Sequence, residues 1–197
     1  MKILLIADEE DKYLWDYYRR GCLDGVDLIL SAGDLKAEYL TFLVTMANRP
    51  LVYVHGNHDR RYADAPPEGC VCADDRIVTA AGLRILGLGG SPLYSGGEWQ
   101  FSERQMVRRI RRLRWRIARA GGVDIVLTHA PIRGVGDADD PAHRGFEAFM
   151  PLLDRWKPRY LIHGHVHKRY GGDFQRVRTY GETTVINACG RYVLELD

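Results

Sequence analysis

The sequence predicts an α/β fold, and two patterns carry this prediction. Short apolar runs rich in β-branched residues recur along the chain between turn residues, as buried strands do. Between several of these runs, apolar residues recur at the three- to four-residue spacing of an amphipathic helix. Strands that alternate with helices are typical of β–α–β crossovers and a parallel sheet. The length of 197 residues predicts a single domain spanning 1–197.

Seven apolar runs are predicted strands, and the last of them is interrupted. In chain order they cover residues 2–7, 26–32, 50–55, 84–88, 123–128, 159–163 and 183–196. The final run is broken by Asn-Ala-Cys-Gly at 187–190, so we expect it to form a hairpin or the edge of a sheet.

Four segments have helical spacing and are predicted to lie between the strands. They cover residues 13–20, 37–49, 102–120 and 146–156. Three long polar, glycine-rich segments remain, at 56–76, 89–101 and 130–145. Loops of this length inside a compact domain usually carry function, so these three are predicted to form the walls of a pocket.

The composition indicates a soluble globular protein. Hydrophobic residues make up 46% of the chain and charged residues 27%, and no apolar run approaches the roughly 20 residues of a membrane span. The first run is too short for a signal-peptide core and continues directly into acidic residues, which predicts a cytoplasmic location. We therefore expect the four cysteines, which match no zinc-ribbon spacing, to be reduced.

Polar side chains of metal-binding type stand at the ends of five predicted strands. These strand-end residues are Asp8, Asp34, Asn57, His129 and His165. In open α/β sheets the ligand crevice lies outside the carboxyl ends of the strands, so five separate strand ends are expected to converge on one point. Helix capping or a turn would explain any one of these residues, but not the whole set.

The order of these motifs resembles the calcineurin-like metallophosphoesterase family. The motifs are Asp8, Gly-Asp at 33–34, Gly-Asn-His-Asp at 56–59, His129 and Gly-His-Val-His at 164–167. The resemblance implies a four-layer αββα sandwich, in which two mixed β-sheets are flanked by helices. It also implies a binuclear-metal phosphoesterase, which hydrolyses a phosphomonoester or phosphodiester by attack of a metal-bridging hydroxide.

The resemblance further implies a role for each motif residue. Two divalent metal ions would share Asp34. The first would also take Asp8, His167 and either Glu10 or a water, and the second would take Asn57, His129 and His165. His58 is the implied general acid, and we expect Asp59 to orient its imidazole and raise its pKa.

Glu10 is the one departure from the family pattern, which has histidine two residues after the first aspartate. Residues i and i+2 of an extended segment point to the same side, so Glu10 rather than Glu9 is expected to replace that histidine. An additional carboxylate favours hard ions, and Mn²⁺ is the predicted metal, with Mg²⁺, Fe²⁺, Ni²⁺ and Zn²⁺ as alternatives.

The loop that follows His129 offers candidate substrate contacts, namely Asp137, Asp140, His143 and Arg144. The alternative for this loop is a solvated cap on the helix that follows. His55 and His163 lie inside apolar runs, which is typical of core histidines.

The segment 104–119 carries eight arginines around an apolar stripe of Met106, Ile110, Leu113 and Ile117. Its outer sides would suit nucleic acid, an anionic membrane or an acidic partner, or would form ion pairs in solvent. Two other functions therefore stay open beside the phosphoesterase: a nucleic-acid-processing or nucleic-acid-binding protein, and a non-catalytic binding module on the same fold, as in a subunit of the eukaryotic retromer coat. The sequence defines neither the substrate nor the oligomeric state.

Overall fold

The computed structural model describes residues 1–167 and 174–196, and two sheets dominate it. The first is five-stranded, in the order β13-β1-β2-β3-β4. Its strands are β1 (Lys2–Ala7), β2 (Leu28–Ser31), β3 (Leu51–Tyr53), β4 (Val71–Cys72) and β13 (Gly190–Glu195). The first four strands run parallel, and β13 pairs antiparallel with β1.

The second sheet is six-stranded, in the order β11-β12-β10-β9-β6-β5. Its strands are β5 (Ile77–Ala80), β6 (Leu83–Leu88), β9 (Ile125–Thr128), β10 (Tyr160–His163), β11 (Val177–Tyr180) and β12 (Thr183–Asn187). The four central strands are parallel, and the two edge strands are antiparallel to their neighbours. A further small pair joins β7 (Ser91–Pro92) to β8 (Gln100–Phe101).

Three apolar clusters arrange these sheets and the helices into four layers. Side chains from the inner faces of both sheets form one core, which includes Leu5 of β1 and Leu127 of β9. The outer face of the five-stranded sheet packs on α1 (Ala37–Ala47). The outer face of the six-stranded sheet packs on α2 (Glu103–Arg119) and α3 (Phe149–Trp156). The αββα sandwich with two mixed sheets is therefore confirmed.

For 183–196 the hairpin alternative is wrong, because the two halves of the segment belong to different sheets, whereas the sheet-edge alternative is confirmed for β13. β12 lies in the six-stranded sheet, and β13 lies at the edge of the five-stranded sheet. The Asn187 side chain ends β12 by donating to the Val166 carbonyl and accepting from the Cys189 N–H. Gly190 then has a φ of 69°, a turn that suits glycine and carries the chain to the other sheet.

The helix predicted at 13–20 is not formed either. Residues 12–17 make isolated turns, in which Leu14 N–H donates to Asp11 O and Tyr17 N–H donates to Lys12 O. Trp15 instead packs edge-on against Tyr39 of α1. The apolar spacing in this segment therefore reflects packing against α1 rather than a helical backbone. Among the described residues, no helix is both long and apolar enough to cross a bilayer.

Candidate metal centre

Sharp turns at the ends of parallel strands direct the motif residues towards one crevice. Asp8, Asp34 and His165 have φ values of 65°, 57° and 69°, in the left-handed region that non-glycine residues seldom adopt. Space is equally restricted at the neighbouring glycines. A Cβ on Gly56 would lie 2.0 Å from Asp34 Oδ1, and one on Gly33 would lie 2.4 Å from the Gly56 nitrogen. Only glycine allows these two loops to approach so closely.

Four ligand atoms meet around the buried His129 ring. Its Nε2 lies 3.0 Å from Asn57 Oδ1, 3.1 Å from His165 Nδ1 and 3.4 Å from Asp34 Oδ2. Ligands bound about 2.1 Å from a common metal ion are separated by roughly 3.0 Å in octahedral and 3.4 Å in tetrahedral geometry. The spacing of these atoms therefore fits the coordination shell of one ion.

The hydrogen bonds on the far sides of these groups decide which atoms face inward. His129 Nδ1 lies 2.7 Å from the Ala32 carbonyl, and His165 Nε2 lies 2.6 Å from the Ala142 carbonyl. A carbonyl oxygen only accepts, so both of these nitrogens carry their rings' hydrogen. Asn57 Nδ2 donates to Tyr94 Oη, which turns Oδ1 inward. Lone pairs thus face one another across the cluster, and only a metal ion or an added proton satisfies them.

The pKa values of the cluster describe how the protein balances this charge without an ion. Burial alone would lower the pKa of His129, but the carboxylates of Asp34 and Asp8 outweigh it and raise the pKa to about 9. For His165, burial and the neighbouring His129 lower the pKa to about 3. One proton on His129 therefore takes the place of a cation, while His165 stays neutral and ready to bind a metal.

A second group of ligand atoms lies beside the first. Asp8 accepts the His165 N–H at 2.9 and 3.1 Å, and burial together with Asp34 raises the pKa of Asp8 to about 6. His167 Nδ1 lies 3.4 Å from Glu9 Oε1. The buried Cys189 Sγ lies within 4.8 Å of ligand atoms of both Glu9 and His167. These groups could hold a second ion. Their donors would be carboxylate oxygens and an imidazole nitrogen, with a thiol as a softer donor than any in the first group.

The structure places Glu9, not Glu10, beside His167. Glu10 turns away, with Oε1 3.5 Å from Lys36 Nζ and 3.4 Å from the Lys36 nitrogen. Glu10 would take the place of the family histidine only if the chain stayed extended after β1. Instead, the left-handed φ of Asp8 closes a tight turn in which Glu9 N–H donates to Ala7 O at 2.7 Å. The side-chain alternation of a strand does not continue through such a turn.

His58 and Asp59 also differ from each other in their setting. His58 is exposed, and its backbone N–H donates to Asp34 Oδ1 at 2.8 Å. Asp59 is buried, and its Oδ2 accepts the backbone N–H groups of Asp34 and Gly56 at 2.9 and 2.7 Å. In the described part of the chain no hydrogen bond joins Asp59 to the His58 ring. Asp59 therefore connects the two motif loops to each other.

A cavity of about 510 Å³ opens beside Asp34 and His58. Its lining includes two aromatic residues, Trp15 and Tyr62, and four charged ones, Glu10, Lys36, Glu38 and Arg61. Its volume suits a small organic group. Glu10 thus lines a pocket next to the site rather than facing His167.

The loop that follows His129 and carries the candidate substrate contacts lies against the His129 cluster. Its Ala142 carbonyl reaches His165, and the His143 ring lies 5.3 Å from the His165 ring. Asp140 holds His143 Nδ1 at 2.9 Å, whereas Asp137 accepts from backbone N–H groups of the loop itself. Arg144 is exposed and donates to the Asp139 carbonyl. Among contacts between the residues that the structure describes, His143 is the one of the four that lies against a proposed metal ligand.

Sequence reasoning missed Glu9 and Cys189 as site residues. Glu9 shares an acidic run with Glu10, and only the turn at Asp8 distinguishes the two. Cys189 reaches the site because its backbone bridges to Ala7 from the far end of the chain. No local pattern indicates this contact.

Comparison with known proteins agrees with the geometry. The profile of the calcineurin-like phosphoesterase family matches residues 1–169. A UPF0046 protein of Caenorhabditis elegans is 30% identical over 118 residues, which cover 59% of this chain and 27% of that protein. Human metallophosphoesterase domain-containing protein 1 is 31% identical over 123 residues, covering 60% of this chain and 34% of its own. The chain thus matches only about a third of the length of these relatives.

Among solved structures, TT1561 of Thermus thermophilus aligns with a TM-score of 0.61 at 17% identity, covering 96% of this chain and 89% of its own. At that identity the likeness concerns the fold alone. The family profile, in contrast, covers the chain from its first strand to the Gly-His-Val-His motif. This chain belongs to the calcineurin-like phosphoesterase family.

Proposed function

We propose that this protein hydrolyses a phosphomonoester or phosphodiester with two divalent metal ions. The observation that carries the proposal is the inward-facing set of acceptor atoms on Asp34, Asn57, His129 and His165. A polar cluster in a folded protein normally pairs donors with acceptors. Here the far-side hydrogen bonds leave acceptors against acceptors unless His129 carries an added proton, and this arrangement supports a metal ion in place of that proton.

The residues divide between two ions that share Asp34. Asn57, His129 and His165 would hold one ion, and Asp8, His167 and Glu9 would hold the other, with Cys189 beside it. When bound, the two ions supply positive charge at the phosphoryl oxygens and lower the pKa of the attacking water. Mn²⁺ is the proposed metal, because Glu9 adds an oxygen donor to those of Asp8 and Asp34, and oxygen donors favour harder ions; the softer thiol of Cys189 lies beside this oxygen-rich set.

His58 would donate a proton to the leaving alcohol. His58 lines the 510 Å³ cavity, and its backbone N–H is held by Asp34. A leaving group placed in that cavity would therefore lie beside the proposed acid and the shared carboxylate. Burial of Asp59 against the backbone of both loops supports a positioning role for that carboxylate.

Metal analysis together with a substrate panel tests the proposal. The purified protein should bind about two equivalents of metal and hydrolyse aryl phosphate monoesters or diesters with Mn²⁺, Mg²⁺, Zn²⁺ or Ni²⁺. Asp34→Asn should abolish turnover and lower the metal content, because both ions share that carboxylate. The matched control is Asp64→Asn, an exposed acid outside the site, which should change neither. Two bound metals without turnover on any ester would instead indicate a binding module.

A further inference from the structure

Helix α2 presents two different faces. Ser102 caps it through a reciprocal pair of hydrogen bonds with Gln105, and the helix then continues for 17 residues. Its apolar stripe of Met106, Ile110, Leu113 and Ile117 is buried against the outer face of the six-stranded sheet. The stripe is thus fully used in the core, and what remains for other contacts is the opposite side.

That opposite side is a ridge of arginines around one tryptophan. At about 100° per residue, six side chains fall within a sector of about 100° directly opposite the buried stripe. They are Arg104, Arg108, Arg111, Arg112, Trp115 and Arg119. All six are exposed, and Trp115 is 86% exposed at the centre of the sector. We call these six residues the arginine ridge; it is about 22 Å long.

The charge of the arginine ridge is not neutralised by the parts of the protein that the structure describes. No salt bridge joins its five arginines to an acidic residue within 1–167 or 174–196. A buried arginine of the same helix behaves differently: Arg109 donates to Asp75 at 2.8 Å and to the Gly89 carbonyl at 2.7 Å. The formal net charge of the whole chain is only +2, so the rest of the protein carries a net negative charge. The five positive charges of the ridge therefore exceed the net charge of the whole chain.

The chemistry of the ridge fits one class of partner. Arginines repeated along an extended line match a repeating anion, and an exposed tryptophan among them offers a stacking surface for a base. A membrane fits less well, because an interfacial helix inserts its apolar face and that face of α2 is already buried in the core. We propose that the arginine ridge binds single-stranded nucleic acid, with phosphates on the arginines and a base on Trp115.

Binding of a fluorescent 20-nucleotide single strand, followed by anisotropy in EDTA, tests this proposal separately from the proposed catalysis. Because EDTA removes divalent metal ions, the oligonucleotide can neither bind through such ions nor be hydrolysed with their help. Each phosphate contact to a single strand contributes about −0.7 to the slope of log affinity against log salt, so five contacts predict a slope of about −3.5.

Two sets of variants separate the ridge from general charge. Arg108→Gln, Arg112→Gln and Arg119→Gln together should weaken binding at least tenfold and flatten the slope by about two units. The matched control makes the same Arg→Gln change at three exposed arginines outside the ridge, Arg19, Arg20 and Arg49, and it should bind the oligonucleotide like the parent. Trp115→Ala should weaken binding roughly 5- to 100-fold at an unchanged slope. The thermal midpoint of each variant verifies that it is folded.

Three results would overturn the proposal. The first is no binding by the parent at about 20 mM salt, where phosphate contacts are strongest. The second is equal weakening by the ridge variant and by its control, which would leave only net charge as the cause. The third is stronger binding to vesicles that contain phosphatidylserine than to the oligonucleotide, with loss of that binding in Trp115→Ala.

Discussion

Metal binding at the His129 cluster should release one proton, with a pH dependence set by the raised pKa of His129. In the metal-free protein the carboxylates of Asp34 and Asp8 hold that pKa at about 9, so the imidazole is charged at neutral pH. A metal ion needs the Nε2 lone pair and must displace the proton. His165, whose pKa lies at about 3, has no proton to release in this range.

The size of the effect follows from the titration of one group. With a pKa of about 9, the ring is almost fully protonated at pH 7.5 and about one quarter protonated at pH 9.5. Proton release per metal at this site should fall accordingly, from about one to about one quarter. The apparent affinity should rise about tenfold per pH unit up to pH 9 and then level off.

Isothermal titration calorimetry in pairs of buffers with different ionisation enthalpies measures the number of protons released. His167→Gln, which impairs the other proposed ion site, isolates the cluster. If metal binding releases protons only below about pH 7, the prediction is wrong, because a histidine with an ordinary pKa near 6.5 would give that result. It would mean that the carboxylates do not hold a proton on His129.

Three further predictions concern single side chains. His58→Ala should lose roughly 10²- to 10⁴-fold in rate on an ester with a poor leaving group and much less on p-nitrophenyl phosphate, and equal losses on both would argue against the proton-donor role. Glu9→Gln should lower the metal content, whereas the matched Glu10→Gln should retain it; elemental analysis of the two variants decides between the two carboxylates. Asp74→Asn should destabilise the fold by roughly 3–5 kcal/mol at pH 7, because it breaks a buried pair with His55. Burial would lower the pKa of His55, but the hydrogen bond to Asp74 raises it to about 9, so the stabilisation is complete below pH 6.5 and is lost as pH rises through 9. Urea unfolding at pH 7 and 9.5 should therefore show a smaller difference between parent and variant at the higher pH.

The local sequence determined the type of fold and most of the site. The buried strands and the polar residues at their ends can be recognised without a structure, because both depend on short stretches of sequence. These polar residues are Asp8, Asp34, Asn57, His129 and His165. The rule that ligands gather at the carboxyl ends of parallel strands then predicts that these residues converge.

Local patterns failed where the backbone left its regular geometry. The choice between Glu9 and Glu10 depended on a left-handed φ at Asp8, and the two carboxylates are equivalent as sequence. The segment 13–20 has helical spacing, yet it forms isolated turns, and Trp15 packs edge-on against Tyr39 of α1. In both cases the deciding interactions come from parts of the chain that a local window does not include.

Only the tertiary structure decided which atoms face the proposed ion sites. The ring orientation of His165 is set by the Ala142 carbonyl, that of His129 by the Ala32 carbonyl, and the inward turn of the Asn57 oxygen by Tyr94. Each contact joins residues more than 20 positions apart, so no periodicity in the sequence records it. The sequence by itself determined which residue types are available as ligands. The fold determined which atom of each side chain faces the site, because the hydrogen bonds that orient these side chains form only when the loops are brought together.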